Sequence, residues 1–415
     1  MAILVINAGS SSVKFTLFQP DGETVQATGI VERIGFDGTR LKYHGSGRSF
    51  DRSVDVTNAD AAVGCILSAL THAEHGVIGG IEAIRAVGHR VVHGGERLTH
   101  PVVVDEGVKA YLTECARFAP LHNPHHIRGI EACERHMPHA VQVTVFDTAF
   151  HATIPPHAFL YGIPLRFYEN DHIRRYGFHG ISHKYVSEAA ARFLGEPAER
   201  LRMVTCHLGN GCSMTAVQGG RSVDTSMGFT PLEGLVMGTR CGDIDPAAVL
   251  FVMEQHGIGP AGMNDLLNKQ SGLLALAGVG SNDLRDVIAA AEGGNTQAAV
   301  ALEIFCYRIR KYIGAFAAVM GGLDVVVFTA GIGENSPQVR QRVCAGLGEA
   351  GGFGLRLDAG RNGAAGSHPR AIHADGSRVR VLVVPTDEEL EIARETLQVL
   401  AERAGQAGES RRLKR

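Results

Sequence analysis

Residues 3–18 read ILVINAGSSSVKFTLF, and about 200 residues later residues 203–217 read MVTCHLGNGCSMTAV. In the first stretch Leu4, Val5 and Ile6 run into Asn7–Ala8–Gly9–Ser10–Ser11–Ser12. The chain leaves through Val13–Lys14–Phe15–Thr16–Leu17–Phe18 with a period of two. In the second, Met203–Val204–Thr205 runs into His207–Leu208–Gly209–Asn210–Gly211–Cys212–Ser213 and out along another alternating strand. Small residues at a hairpin tip let backbone N–H groups approach an anion closely. Gly, Asn and Ser dominate ligand-free turns as well. Repetition of the whole layout in one chain is what predicts two domains, with tips facing a polyphosphate from opposite sides.

The chain is long enough for that, since 415 residues suit two domains with sizeable cores. Forty basic against 43 acidic side chains give a net charge of −3, which is not the footprint of a nucleic-acid binder. Fifty-two glycines and no Trp fit a turn-rich α/β enzyme rather than a coiled coil or a disordered chain. The eight cysteines form no C-x-x-C pair, so neither a zinc ribbon nor a redox motif is indicated. No apolar run reaches membrane-spanning length, and the first strand starts at residue 3, where a signal peptide would lie. A reduced, cytoplasmic enzyme with no membrane or nucleic-acid partner is expected.

Outward from the hairpins, strands are expected at 24–31, 41–43, 84–92, 141–146, 325–329 and 379–384. Helices are expected at 59–75, 107–118, 125–137, 182–193, 246–256, 263–269, 284–292 and 297–320. A last helix, 388–401, could fold back on the first domain. The Pro- and aromatic-rich stretch 151–176 marks the boundary. The predicted domains are residues 1–150 with 385–402, and 151–384, followed by a flexible tail at 403–415. A β-hairpin followed by alternating helices and strands implies mixed sheets flanked by helices, an α/β class.

Three charged residues stand out. Arg90 sits within the apolar run GHRVV, Asp147 ends VTVFD, and Arg240 lies in MGTRCGDIDP. A guanidinium on an apolar strand needs an anionic partner. Two of them could hold a carboxylate and a transferring phosphoryl group by bidentate bonds. The turn AGIGENS at 330–336 places Gly331 and Gly333 where a nucleotide could approach, although it lacks the Walker lysine and the third dinucleotide glycine. Twenty histidines include His89, His93, His122, His125, His126, His179 and His183 in glycine- and aromatic-rich segments. Most suit capping or core hydrogen bonding. His179, in YGFHGISH, reads as a hydrogen-bond donor rather than a metal ligand.

The chain resembles the acetate kinase family through VINAGSSSVKF, GHRVVHGGE, APLHNP, FDTAFH, YGFHGISH, CHLGNGCS, DTSMGFTPLEGLVMGTRCGDIDP, SNDLRDV, FTAGIGENS and PTDEELEIARET, in that order over almost the whole length. The resemblance implies two ribonuclease-H-like domains of the actin-like ATPase kind, with ATP in the interdomain cleft. It implies assembly as a homodimer, with ATP/ADP and acetate/acetyl phosphate as ligands and Mg²⁺, or Mn²⁺, as cofactor. It assigns Asn7 and Glu388 to the metal, and Ser10, Ser12 and Lys14 to the first phosphate hairpin. His207, Leu208, Gly209, Asn210 and Gly211 become the second phosphate loop. Asp283, Leu284, Arg285 and Gly331, Ile332, Gly333, Glu334, Asn335 become the nucleotide segments. Arg90, Arg240, Asp147 and His179 carry catalysis. Val92, Leu121, His122, Phe178 and Pro231 surround the substrate. Asp387 stands where the family often has Asn, and an added carboxylate beside Glu388 is expected to alter metal affinity. Val92 is expected to limit acyl length, with propionate a poorer substrate than acetate. A propionate or butyrate kinase is the alternative within the family. An ATP-gated chaperone or actin-like machine would not need the arginine pair.

Overall fold

Strand β1, Ala2–Ala8, is almost wholly buried because it lies at the centre of its sheet with neighbours on both sides. It pairs antiparallel with β2 (Ser12–Phe18) through the Asn7↔Lys14 and Ala8↔Val13 register, so Gly9–Ser10–Ser11 forms the hairpin tip. It pairs parallel with β6 (Ile84–Val91) on the other side. The structure, a computed structural model, describes residues 2–120 and 122–413, and side-chain surroundings as far as 405. The chain divides into two compact units, residues 1–150 with 387–415, and residues 151–386.

The sheet of the first unit also contains β3 (Val25–Glu32), β4 (Arg40–Gly45), β5 (Arg48–Ser53), β7 (Val102–Val103) and β8 (Val141–Phe146). Its order is β5-β4-β3-β2-β1-β6-β8-β7. The sheet of the second unit comprises β9 (Arg202–Leu208), β10 (Cys212–Gln218), β11 (Arg221–Thr225), β12 (Val325–Thr329), β13 (Arg370–Ala371) and β14 (Arg380–Val383), ordered β11-β10-β9-β12-β14-β13. The core of each sheet follows one plan. An antiparallel hairpin and third strand (β1-β2-β3, β9-β10-β11) continue into two parallel strands (β6-β8, β12-β14). That shared plan is the ribonuclease-H-like arrangement, and both units belong to the mixed α/β class with helices against the sheets.

Helices close these sheets where the sequence makes room. Gly88 in β6 has no space for a side chain, since a Cβ there would fall 2.5 Å from Thr396 Oγ1 and 2.8 Å from Ile392 Cγ2. The helix Glu388–Leu413 therefore packs directly on β1, β6 and β8. Gly129, whose Cβ would be 2.7 Å from that of Ala8, does the same for the helix Asn123–His136 against β1. In the second unit, helices Gly180–Leu194 and Thr296–Val319 pack on a sheet whose β9 and β12 are almost continuously buried.

Several element bounds differ from expectation. The helix begun by Asn58, whose side chain accepts the Ala61 N–H, ends at Leu70 and not His75. Val77 and Ile78 N–H groups take up the Leu70 carbonyl, and Gly76 closes a turn on His72. The last helix runs to Leu413, past Ala401, so the segment expected as a flexible tail from 403 is helical that far. Its Ala, Glu, Gln and Arg are good helix formers. Residues 414–415 lie outside the described residues.

Candidate active site

In both units, the parallel strands deliver functional side chains at their carboxyl ends, where ligands of open α/β sheets bind. In the first unit Ile6 of β1 is aligned with His89 of β6, which puts Asn7 and Arg90 one step further along neighbouring strands. Arg90 is aligned with Val145 of β8, and Asp147 follows that strand directly. Arg90 Nε donates to Asp147 Oδ1 at 3.1 Å and Nη2 donates to Oδ2 at 2.5 Å. Asp147 is 1% exposed and the Arg90 side chain 19%. Glu388, first residue of the helix that Gly88 admits, lies 3.7 Å from Arg90 Nε. Burial alone would lower the Arg90 pKa, but Asp147 and Glu388 more than reverse it, so the guanidinium is held charged. Its Nη1 has no hydrogen bond to any described residue.

Burial raises the pKa of Glu388 against the opposing effect of Arg90. Asp387 also has a structural task. Its Oδ1 accepts the Leu390 N–H at 2.9 Å, capping the helix. Asn and Asp are equivalent caps, so either residue can fill this position. Lys14 of the first hairpin is ion-paired with Glu389. Val92 lies one residue past the end of β6, so strand alternation no longer governs it. It is 5% exposed, and its N–H donates to His126 Nδ1 at 3.3 Å. Burial, helped by nearby Arg90, keeps His126 neutral. His122 precedes the helix Asn123–His136, its ring 6.5 Å from that of His126. Leu121 lies outside the described residues.

In the second unit the tip after β9 gathers its own set. His179 sits in left-handed backbone (φ 57, ψ 25) at the start of the helix Gly180–Leu194. Such strain in a residue other than glycine marks functional sites. Its ring stacks on His207 at 4.2 Å between centroids. Its Nδ1 is 2.9 Å from Ser213 Oγ. Gly211 is where three groups meet, because a Cβ there would lie 3.5 Å from Arg240 Nη1 and 3.7 Å from His179 Nε2. The partners of Arg240 are neutral: its Nη1 donates to the Pro231 carbonyl at 3.2 Å and approaches Met237 Sδ at 3.8 Å. Burial lowers its pKa. A guanidinium partly withdrawn from water without a carboxylate partner is free to receive a ligand anion. Phe178, next to His179, is 2% exposed.

A cavity of about 630 Å³ opens beside this tip, lined by Gly209, Asn210, Asp283, Leu284, Arg285, Gly331, Ile332 and Asn335. Ile288, Ala289, Glu292, Ser336, Pro337 and Gln338 also line it and had no recognisable signal in the sequence. Asn210 is fixed by Asn282 Nδ2 at 3.1 Å, and Gly238 must be glycine because a Cβ would meet Asn210 Oδ1 at 1.9 Å. Asp283 caps the helix Leu284–Glu292 and pairs with Arg285, whose hydrogen bonds hold the carboxyl at about 2. The turn after β12 is a short helix, Ala330–Asn335, entered through a positive φ of 61° at Ala330. Glu334 Oε1 accepts the Thr386 N–H at 3.2 Å, and Asn335 Nδ2 donates to the Gly331 carbonyl. His207 and Leu208 end β9 and are buried. Among the described residues no three His, Cys, Asp or Glu side chains form a ready-made metal site, and no helix is long and apolar enough to cross a membrane.

The chain as a whole is similar to known proteins. The model of the acetokinase family matches residues 2–394. An acetate kinase of Heliobacterium modesticaldum is 52% identical over 96% of this chain and 100% of its own. The crystal structure of Porphyromonas gingivalis acetate kinase superposes with a TM-score of 0.91 at 44% identity, covering 96% of this chain and 99% of that one. A propionate kinase from Francisella tularensis gives 0.88 at 39% identity over 96% and 99%. With the match running through both hairpins and every strand end described above, the chain belongs to the acetokinase family.

Proposed function

We propose that this chain catalyses ATP + acetate ⇌ ADP + acetyl phosphate by direct in-line transfer. A carboxylate oxygen of acetate forms a bond to the γ-phosphorus while the bond to the β–γ bridging oxygen breaks, its electron pair leaving on ADP. Acetate has no proton to lose, so no general base is required. The obstacle is the approach of an anion to a polyanion, and catalysis consists of positioning and charge stabilisation. The observation that carries this reading is Arg240, a half-buried guanidinium with neutral partners beside Gly211 and His179. We assign Arg240 and His179 to the transferring phosphoryl group and Arg90 to the acetate carboxylate, with Asp147 orienting Arg90. The second-unit cavity takes the nucleoside, and the tips at Ser10–Ser12 with Lys14, and at His207–Gly211, take phosphates. Val92, Leu121, His122, Phe178 and Pro231 take the acetate.

Asn7 and Glu388 can offer a metal oxygen ligands only, and half-buried Glu388 has Asp387 and Glu389 as like-charged neighbours, a setting that a hard divalent cation would relieve. Mg²⁺, or Mn²⁺, held there would neutralise charge on phosphate oxygens. Eight unpaired cysteines suit a reducing cytoplasm, and a homodimer is the assembly we expect by family likeness. The test is hydroxamate formation with ATP and acetate, propionate or butyrate. A kcat/KM highest for acetate supports the assignment. A higher value for propionate would transfer it to the propionate kinases, and no carboxylate-dependent product would overturn it.

A further inference from the structure

His179 is not held by the backbone alone. Ser213 Oγ, on β10, lies 2.9 Å from His179 Nδ1 and 2.7 Å from Nε2 of His183, one helical turn on. His183 Nδ1 lies 2.7 Å from Thr205 Oγ1 on β9, and Thr205 Oγ1 donates to the Thr215 carbonyl at 3.5 Å. His183, Ser213 and Thr205 are fully buried. Each hydroxyl has one proton, so the chain of contacts has a direction. With the Thr205 proton on the Thr215 carbonyl, His183 donates from Nδ1 to Thr205. The bare Nε2 of His183 then accepts from Ser213, and the Ser213 oxygen is left to accept from His179 Nδ1–H. The reverse direction forfeits the bond to Thr215. It would also point the Ser213 proton at a bare His179 Nδ1 and leave the ring proton on Nε2.

We propose that Ser213, backed by His183 and Thr205, is a positioning residue that fixes the His179 proton on Nδ1, so that Nε2, on the Gly211 and Arg240 side, donates only when the ring is an imidazolium. Burial, with His151 and His207 nearby, keeps His183 neutral and hence a fixed acceptor. The charged or titratable groups that face His179 from this unit include His207, stacked on it, and Arg240 across Gly211, with His183 behind Ser213. Arg240, a cation, opposes an imidazolium at His179, whereas an acceptor at Nδ1 favours one. His207 is anchored in parallel, its Nδ1 2.8 Å from Ser182 Oγ, which contacts Thr386 Oγ1 at 2.8 Å.

This inference rests on the phosphoryl-transfer role given to His179, but its first test does not use activity. Long-range ¹⁵N–¹H spectra of ¹⁵N-histidine-labelled enzyme, with the His179 signals assigned by their loss in His179→Gln, report which ring nitrogen bears the proton. We expect the Nδ1–H tautomer when the ring is neutral. An Nε2–H tautomer would overturn the proposal even if the enzyme is a fully active acetate kinase. Ser213→Ala is expected to lower kcat about 10- to 100-fold, as when the group holding an imidazole's tautomer is lost, with both KM values nearly unchanged. The alkaline limb of kcat should move to lower pH by about one unit, because loss of an acceptor from Nδ1–H disfavours the imidazolium. Ser213→Thr, which keeps the hydroxyl, should restore the limb. A Ser213→Ala enzyme with lower kcat and an unmoved limb would reduce Ser213 to a packing role and refute the relay. If Ser213→Ala does not fold, the wild-type tautomer still decides.

Discussion

If Asp147 acts by holding Arg90, removing both should cost scarcely more than removing Arg90 alone. Asp147 accepts two charge-assisted bonds from Arg90, at 3.1 and 2.5 Å, in a nearly dry setting. Without them the guanidinium is free to swing towards Glu388, 3.7 Å away, and the grip on acetate loses its geometry. Arg90→Ala should lower kcat/KM for acetate by about 3 kcal/mol, the size seen on removal of a preorganised donor. Asp147→Ala should cost about 2–3 kcal/mol by disorienting the same group. Independent action predicts a sum of about 5–6 kcal/mol, whereas the shared bond predicts about 3, a coupling of about 2–3 kcal/mol. Stability should follow the same logic. Breaking a buried pair costs about 3–5 kcal/mol. Partial exposure of Arg90 and the presence of Glu388 place Asp147→Ala at the low end, about 6–12 °C in Tm. Arg90→Ala in the same chain should restore part of that loss. Hydroxamate kinetics and calorimetry on the four proteins complete the cycle. Additivity in kcat/KM to within about 0.5 kcal/mol would show that Asp147 acts separately, as a base would, and the orienting role would be wrong.

Arg240→Ala should lose about 10²–10³ in kcat/KM with little loss of stability, because its present partners are neutral; near-wild-type kinetics would remove it from the reaction. Gly211→Ala should fold and melt like the parent, since its Cβ meets neighbours at 3.5 Å or more, yet lose at least about tenfold in kcat by filling the space shared with Arg240 and His179; full activity would show that no reacting group passes there. Val92→Ala should raise the propionate-to-acetate ratio of kcat/KM about tenfold, and a flat ratio with a lower Tm would leave Val92 as packing alone. Asp387→Asn should keep the cap and leave the metal dependence of the rate unchanged. Because burial raises the Asp387 pKa, its charge costs stability above the ordinary value of 3.8. The Asn variant should thus gain on the parent as pH rises through that range, and lose the gain in acid. A parent that stays the more stable at neutral pH would contradict this.

What could be read from the sequence was whatever left a periodic apolar trace. β1, β9 and β12 are nearly continuous apolar runs because they are covered by neighbours. β5 (RSFDRS) went unread because it is the exposed edge of its sheet, with only Phe50 half-buried, and β11 (RSVDT), another edge strand, because its buried positions are Ser222 and Thr225 and leave no apolar trace. The short helices Pro156–Phe159 and Arg166–Asp171 were read only as an aromatic stretch, since four and six residues are too few to show a helical period.

The site divides along the same physical line. Arg90 and Asp147 announce themselves as charges against apolar strands, a conflict that only a partner resolves. Ser213, Thr205 and Ser182 carry no such conflict. A serine or threonine in a buried strand or helix is unremarkable, and its meaning depends on which atom of a distant element faces it. His183 did leave a trace, since it follows His179 by only four residues in a histidine- and glycine-rich segment. That spacing shows that two imidazoles are neighbours. It cannot show that a single hydroxyl from β10 lies against both, nor which way its proton points. Charge placement is written locally in this chain, whereas proton placement arises only when β9, β10 and the helix Gly180–Leu194 are packed together. The groups that make the site cationic could therefore be named from sequence, while those that choose the form of His179 needed the fold.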